Sequence, residues 1–416
     1  MTDKELTAMQ ETPKLWTRDF TIITLGSAVS ILGNCIAGFA AGLLVLDYTG
    51  STFLYALYIV MFNLPFIVVP LAAGPILDRF SRKKAIYLLD FTSAGLYLLI
   101  FALLHFGLFN YVLFLGFCLI EGCIASVYTV AYDSFYPNLV EPVNLTKAYS
   151  ISSLLYPLSA LMTPVAAWAY ERVGIEPLFL VNSACFLTAA LFEVSIRAEE
   201  KHIDASGEPM NLRRFRQDFR DGLNYLRSER GLFIIAMYFC VSNFTGGMDT
   251  VIMPYFRSTP GLGVQIYTYV MAFGVAGRLV GGMIHYRFKY PPAKKFAIAL
   301  FVYVSLNFLY GTYLFLPVPL MMLFIFLTGI LGVTSYNIRI SATQSYIPDS
   351  HRARFNGIFY VITTVGSLAG QLIAGALGDA IPMRAVVLGF CVVGLLGCGI
   401  MVAGREHVKN IYNRSV

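Results

Sequence analysis

Long apolar stretches separated by short polar turns run through nearly the whole chain. Twelve of them are about as long as a helix that crosses hydrocarbon, which takes about 20 apolar residues. They fall at 20–46, 53–76, 85–107, 110–135, 147–170, 176–196, 231–256, 265–286, 296–315, 318–343, 355–378 and 383–403. A helix satisfies its own backbone N–H and C=O groups, which hydrocarbon cannot do. The pattern therefore predicts an all-α polytopic membrane protein with twelve transmembrane helices. The longest polar stretch, Arg197 to Arg230, divides six spans from six. The expected organisation is an N-terminal six-helix bundle over 1–196, a linker over 197–230 and a C-terminal six-helix bundle over 231–416.

Inside the linker, Leu212, Phe215, Phe219, Leu223 and Leu226 recur at helical spacing, with Arg213, Arg214, Arg216, Arg220 and Arg227 between them. This is a basic amphipathic helix, which lies either on the cytoplasmic leaflet or on the protein's own surface. The two halves also resemble each other at a constant offset of 207 residues. Glu121-Gly122 pairs with Thr328-Gly329, Gly74 and Asp78 with Gly281 and His285, and Thr163-Pro164 with Gly370-Gln371. Such parallel repeats predict two pseudo-symmetric bundles with a substrate path between them near the midplane.

Composition agrees with the pattern. The chain is 57% hydrophobic and 13% charged, whereas a soluble domain carries about 25% charged residues. The net charge of +6 is topological. Three of the 30 Lys and Arg (Arg172, Arg257, Arg384) fall in odd loops and two (Arg278, Arg339) inside spans, and 25 lie in the termini and even loops. The positive-inside rule then places both termini in the cytoplasm, and no nucleic-acid partner is implied. Residues 1–18 have no apolar core that would make a cleavable signal peptide. The seven cysteines all fall inside predicted spans, at spacings that suit neither zinc nor disulfides. No nucleotide-binding or hydrolase motif is present. The chain is expected to be no enzyme, to hold no metal or cofactor, and to draw on an electrochemical gradient.

Charges inside spans are the candidate chemistry, because such groups are costly in hydrocarbon and mark pathways or relays. Glu121 falls near the middle of the fourth span. Tyr128 and Tyr132 follow seven and eleven residues later on the same helix face. Glu121 is placed to load and release a proton, or to serve as a hydrogen-bonded strut between helices. Asp249 follows Asn243 and Gly246-Gly247 and precedes Pro254, which reads as a kinked helix near an outer gate. Arg278, in the eighth span, suits a carboxylate partner or an anionic substrate. Arg339 lies near enough to the span's end to snorkel. Asn34, on a stripe of small residues in the first span, and Asn337 in the tenth are candidate cavity-lining groups.

Residues 74–83 read Gly-Pro-Ile-Leu-Asp-Arg-Phe-Ser-Arg-Lys between the second and third spans. This resembles the G-x-L-x-D-R-x-G-R-K signature of the major facilitator superfamily, with Ser81 where a glycine is usual. The resemblance implies a charge relay of Asp78, Arg82 and Asp133 that latches one conformation, with Asp78 facing the start of the eleventh span. An anionic group is favoured at a helix N-terminus. The antiporter pattern G-x-x-x-G-P-x-x-G-G is reduced in the fifth span to Ser159-x-x-x-Thr163-Pro164-x-x-Ala167-Trp168. Tyr136-Pro137-Asn138, Ile347-Pro348-Asp349 and Arg352-x-Arg354-Phe355-Asn356-Gly357 look like the macrolide-efflux and enterobactin-exporter branch. By that resemblance the chain is a monomeric secondary transporter in the plasma (inner) membrane. It would export an amphipathic compound in exchange for protons by alternating access. Import of a small nutrient and translocation of a lysolipid are the competing readings.

Overall fold

The computed structural model describes residues 15–77, 80–141, 162–198, 212–287 and 290–414, with 144, 145, 147–149, 151, 152 and 155 between them. Among the described residues there are helices and connecting turns and no strand. The principal helices are α1 (Arg18–Thr49), α2 (Thr52–Asn63), α3 (Pro65–Leu77), α4 (Arg82–His105), α5 (Tyr111–Phe135), α6 (Thr163–Val173), α7 (Glu176–Val194) and α8 (Leu212–Ser228). They continue as α9 (Arg230–Gly246), α10 (Ile252–Ser258), α11 (Gly263–Arg287), α12 (Lys295–Thr312), α13 (Val318–Tyr346), α14 (Asp349–Ala380), α15 (Met383–Ala403) and α16 (Arg405–Tyr412). Among the described residues, eleven helical segments are long and apolar enough to cross a membrane. They match every expected span except the fifth, at 147–170, most of which lies outside the described residues and of which α6 forms the far end.

The chain forms two compact units, residues 1–41 with 68–209 and residues 42–67 with 210–416. One boundary thus falls inside the polar linker. The other two fall inside the first and second expected spans, so residues 42–67 pack with the second unit. In the first unit, polar caps set where helices begin. Ser81, in the position the signature gives to glycine, accepts the Lys84 backbone N–H at 3.1 Å and starts α4. Asn110 accepts from the backbones of Val112 and Leu113 and starts α5. Helices α4 and α7 lie against each other. The Tyr97 ring stacks on Phe186 at 5.6 Å and on Phe179 at 6.4 Å, and Ser183 donates to the Ala94 carbonyl at 2.7 Å.

Backbone approach organises the second unit. Helices α11 and α13 meet where Gly277 faces the Phe326 backbone and Gly329 faces that of Gly274 and Arg278; a β-carbon at either glycine would overlap the facing chain. Near Gly246-Gly247, where a kink is expected, the helix changes type while its backbone stays helical. Helix α9 stops at Gly246, a 3₁₀ turn covers Gly247–Val251, and α10 follows. Gly247 sits directly on the Gly370 backbone of α14. Farther along α14, Gly375 and Gly378 admit α2 at Thr52 and Ala56. There Asp379 accepts the Ser51 hydroxyl at 2.5 Å, the Thr52 N–H at 2.6 Å and the Phe53 N–H at 3.2 Å. Those N–H groups open α2 and have no partner within the helix. Arg257 pairs with Asp47 in the same unit. In the linker helix α8, Leu226 is fully buried and Gly222 packs on Arg354 and Ile358 of α14. This part of α8 therefore lies on the protein's own surface.

Candidate functional site

Glu121 is buried in the first unit, on the face of α5 turned toward α4. The Ser93 hydroxyl donates to its Oε2 at 3.1 Å, while Oε1 is buried with no hydrogen-bond partner among the described residues. Two acids that the span-by-span reading did not single out lie beside it. Asp90 of α4 and Glu193 of α7 are both buried, and their carboxyls face each other. Ser30 of α1 donates to Asp90 Oδ2 at 3.4 Å, and Tyr128 of α5 donates to Glu193 Oε1 at 3.3 Å. Ser93 is one helical turn from Asp90, so the three carboxyls and their hydroxyl donors form one polar group inside α1, α4, α5 and α7. Tyr132 stacks between Tyr128 at 6.0 Å and Tyr136 at 5.2 Å, extending that group along α5. Tyr128 thus bonds a carboxyl, although not the one whose helix it shares.

The rule that singles out Glu121 applies equally to Asp90 and Glu193. Both lie closer to span ends, where polar side chains commonly reach water. Burial by neighbouring helices makes them interior groups, and a single-helix reading carries no sign of that.

The second unit holds a cavity of about 220 Å³ lined by Asp249, Arg278, Ser242, Thr245, Asn307, Tyr310, Thr328 and Ser335, among others. The structure thus brings together Asp249 and Arg278, which the sequence placed on separate spans. The Arg278 charge acts on the Asp249 carboxyl. Both side chains keep accessible surface in this cavity although they sit on membrane-spanning segments. The geometry follows from elements already described. Asp249 lies in the 3₁₀ turn that follows α9, and the close α11–α13 contact at Gly329 sets Arg278 beside Thr328. Glu121 and the Asp249–Arg278 pair belong to different units.

Of the expected charge relay, Asp78 lies outside the described residues. Arg82 donates to the Ser134 carbonyl at 3.1 Å, next to the exposed Asp133. Asn34 is exposed in the first unit and Asn337 half-buried in the second. Arg339 is held among aromatic rings, with its guanidinium 4.9 Å from the Phe359 centroid and 5.1 Å from that of Phe239. Packing, rather than snorkelling alone, accommodates it. No group of three or more His, Cys, Asp or Glu among the described residues is arranged to hold a metal ion.

The family model described as Major Facilitator Superfamily matches residues 23–316 and 289–414. An uncharacterised MFS-type transporter of Bacillus subtilis (strain 168), YkuC, is 25% identical over 310 residues, covering 71% of this chain and 70% of that protein. Macrolide efflux protein A of Streptococcus pyogenes is 26% identical over 280 residues, 65% of this chain and 66% of that protein. Among solved structures, a bacterial homologue of the iron transporter ferroportin in its inward-facing state superposes with a TM-score of 0.70 at 15% identity. That match covers 93% of this chain and 98% of that one. The nucleoside transporter NupG gives 0.68 at 12% identity, over 92% and 99%. At such identities the structural likeness speaks for the fold alone.

Proposed function

The chain belongs to the Major Facilitator Superfamily and is a multi-pass membrane transporter, and on that premise we propose that it exports an amphipathic organic compound in exchange for protons. Glu121 carries this reading. It is a buried carboxyl in a membrane helix, with one oxygen bonded to Ser93 and the other without a hydrogen-bond partner among the described residues. Such a group takes up a proton when it faces an apolar surrounding and releases it when water and a donor arrive. The Asp249–Arg278 cavity supplies the substrate-facing groups. A carboxylate there holds a basic centre, a guanidinium holds an acidic one, and Tyr310 and the hydroxyls fix orientation. Alternating access about the two halves would carry the loaded site from one face to the other. The distribution of Lys and Arg supports cytoplasmic termini in a plasma membrane, and a monomer supplies every group named. The relative named for macrolide efflux supports an amphipathic substrate.

One observation favours a second reading, import of a small polar nutrient. The second-unit cavity is compact and lined largely by hydroxyl, amide and charged groups. Everted membrane vesicles separate the two. With an acid-inside gradient imposed, export predicts that a macrolide or siderophore accumulates and that collapsing the gradient releases it. Equilibration of a small polar solute such as a nucleoside, with no macrolide accumulation, would establish the nutrient reading instead.

A further inference from the structure

We propose that Asp90 and Glu193 together form a second proton-binding site in the first unit, distinct from Glu121. The proposal extends the proton-coupled reading and rests on separate geometry. The two side chains come from different helices, α4 and α7, and meet where both are almost wholly buried, Asp90 at 1% and Glu193 at 0% exposure. Ionised carboxylates are acceptors only. Two of them facing each other in a buried place have no hydrogen bond to share and repel, and a single proton between them supplies the missing donor.

The partner pattern fits one proton. Among the described residues, each carboxyl receives one protein donor from outside the pair, Asp90 Oδ2 from Ser30 and Glu193 Oε1 from Tyr128. Glu193 Oε2 is buried and has no hydrogen-bond partner among the described residues. A proton on either acid lets that oxygen donate or accept across the pair. The titratable groups that face the pair are Glu121 and Tyr128 of α5, while α1 contributes Ser30 and the backbone beside Gly26, which the Glu193 side chain approaches. The charge of Glu121 acts on Asp90, and Ser93, one turn along α4, bonds Glu121. The loading of one site is therefore felt at the other, and a proton leaving Glu121 has an acceptor close by.

Infrared titration of the purified full-length protein in lipid nanodiscs tests this without any transport assay. The carbonyl band of protonated carboxylic acids, identified by its shift in heavy water, is read at neutral pH. Wild type is expected to show the band. Asp90→Asn and Glu193→Gln are each expected to remove the same component, and the double variant no more than either single one, because one proton is shared. Glu121→Gln should leave that component in place. A band unchanged in Asp90→Asn, or losses that add in the double variant, would overturn the proposal. If these variants do not fold, Ser30→Ala and Tyr128→Phe remove only the outside donors and should shift the band's frequency; an unshifted band also overturns it. The expected band pattern alongside transport that ignores pH would remove the proton-coupled reading and leave the site standing. Its absence alongside proton-driven transport would remove the site alone.

Discussion

A carboxylate at the centre of a membrane helix costs about 2.5–3.5 kcal/mol on insertion scales, so Glu121 has to recover that cost locally. Among the described residues, the Ser93 hydroxyl is the side-chain donor that meets it. Ser93→Ala leaves a buried acceptor unsatisfied, and the expected loss is about 1–3 kcal/mol of stability, read as a lower unfolding temperature in detergent. Ser93→Thr keeps the hydroxyl and should retain most of it. An unchanged Ser93→Ala protein would mean that Glu121 draws on other partners. Glu121, Asp249 and Arg278 were legible as residues because a lone charge in an apolar run stands out. What each one meets was not legible. Arg278 and Asp249 share a cavity through a 3₁₀ turn and a glycine contact, and Glu193 becomes an interior group only once α4 covers it.

Helices were legible as elements, and their close approaches only in part. Gly246-Gly247 and Pro254 foretold a disturbance in the seventh span. That it is a 3₁₀ turn, with Gly247 resting on Gly370, involves a residue more than a hundred positions away. Gly370→Ala places a β-carbon on the Phe244 carbonyl and should push α9 off α14. Overpacking of this kind costs about 1–3 kcal/mol, and because the neighbouring 3₁₀ turn carries Asp249, substrate affinity should fall along with thermal stability. A variant with wild-type stability and affinity would show that α9 and α14 do not meet there. Likewise, Asp379 and Ser51 are 328 positions apart, so no local pattern announces that α2 joins the second unit. Ser81 is the reverse case. It departs from the glycine of the signature, yet as a capping residue it starts α4 by ordinary chemistry.

For the whole molecule, hydropathy alone gives an all-α membrane protein, because length and polarity decide spanning irrespective of partners. Family membership follows from the chain-long match, while substrate, direction and coupling depend on a few interior groups. The excess of Lys and Arg in even loops predicts that reporters fused before residue 18 and after residue 404 both report the cytoplasm, and that one fused at 107–110 reports the opposite side. Reversed reporters would invert the direction assigned to transport. The central claim, that protons drive export through Glu121, is tested most directly in proteoliposomes containing a pH-sensitive dye, with wild type beside Glu121→Gln and macrolides, siderophores and small polar solutes added in turn. The account predicts a compound-dependent pH change in wild type that disappears in Glu121→Gln. Equal substrate movement in both proteins with no pH change would contradict it and make Glu121 a structural strut in a facilitator.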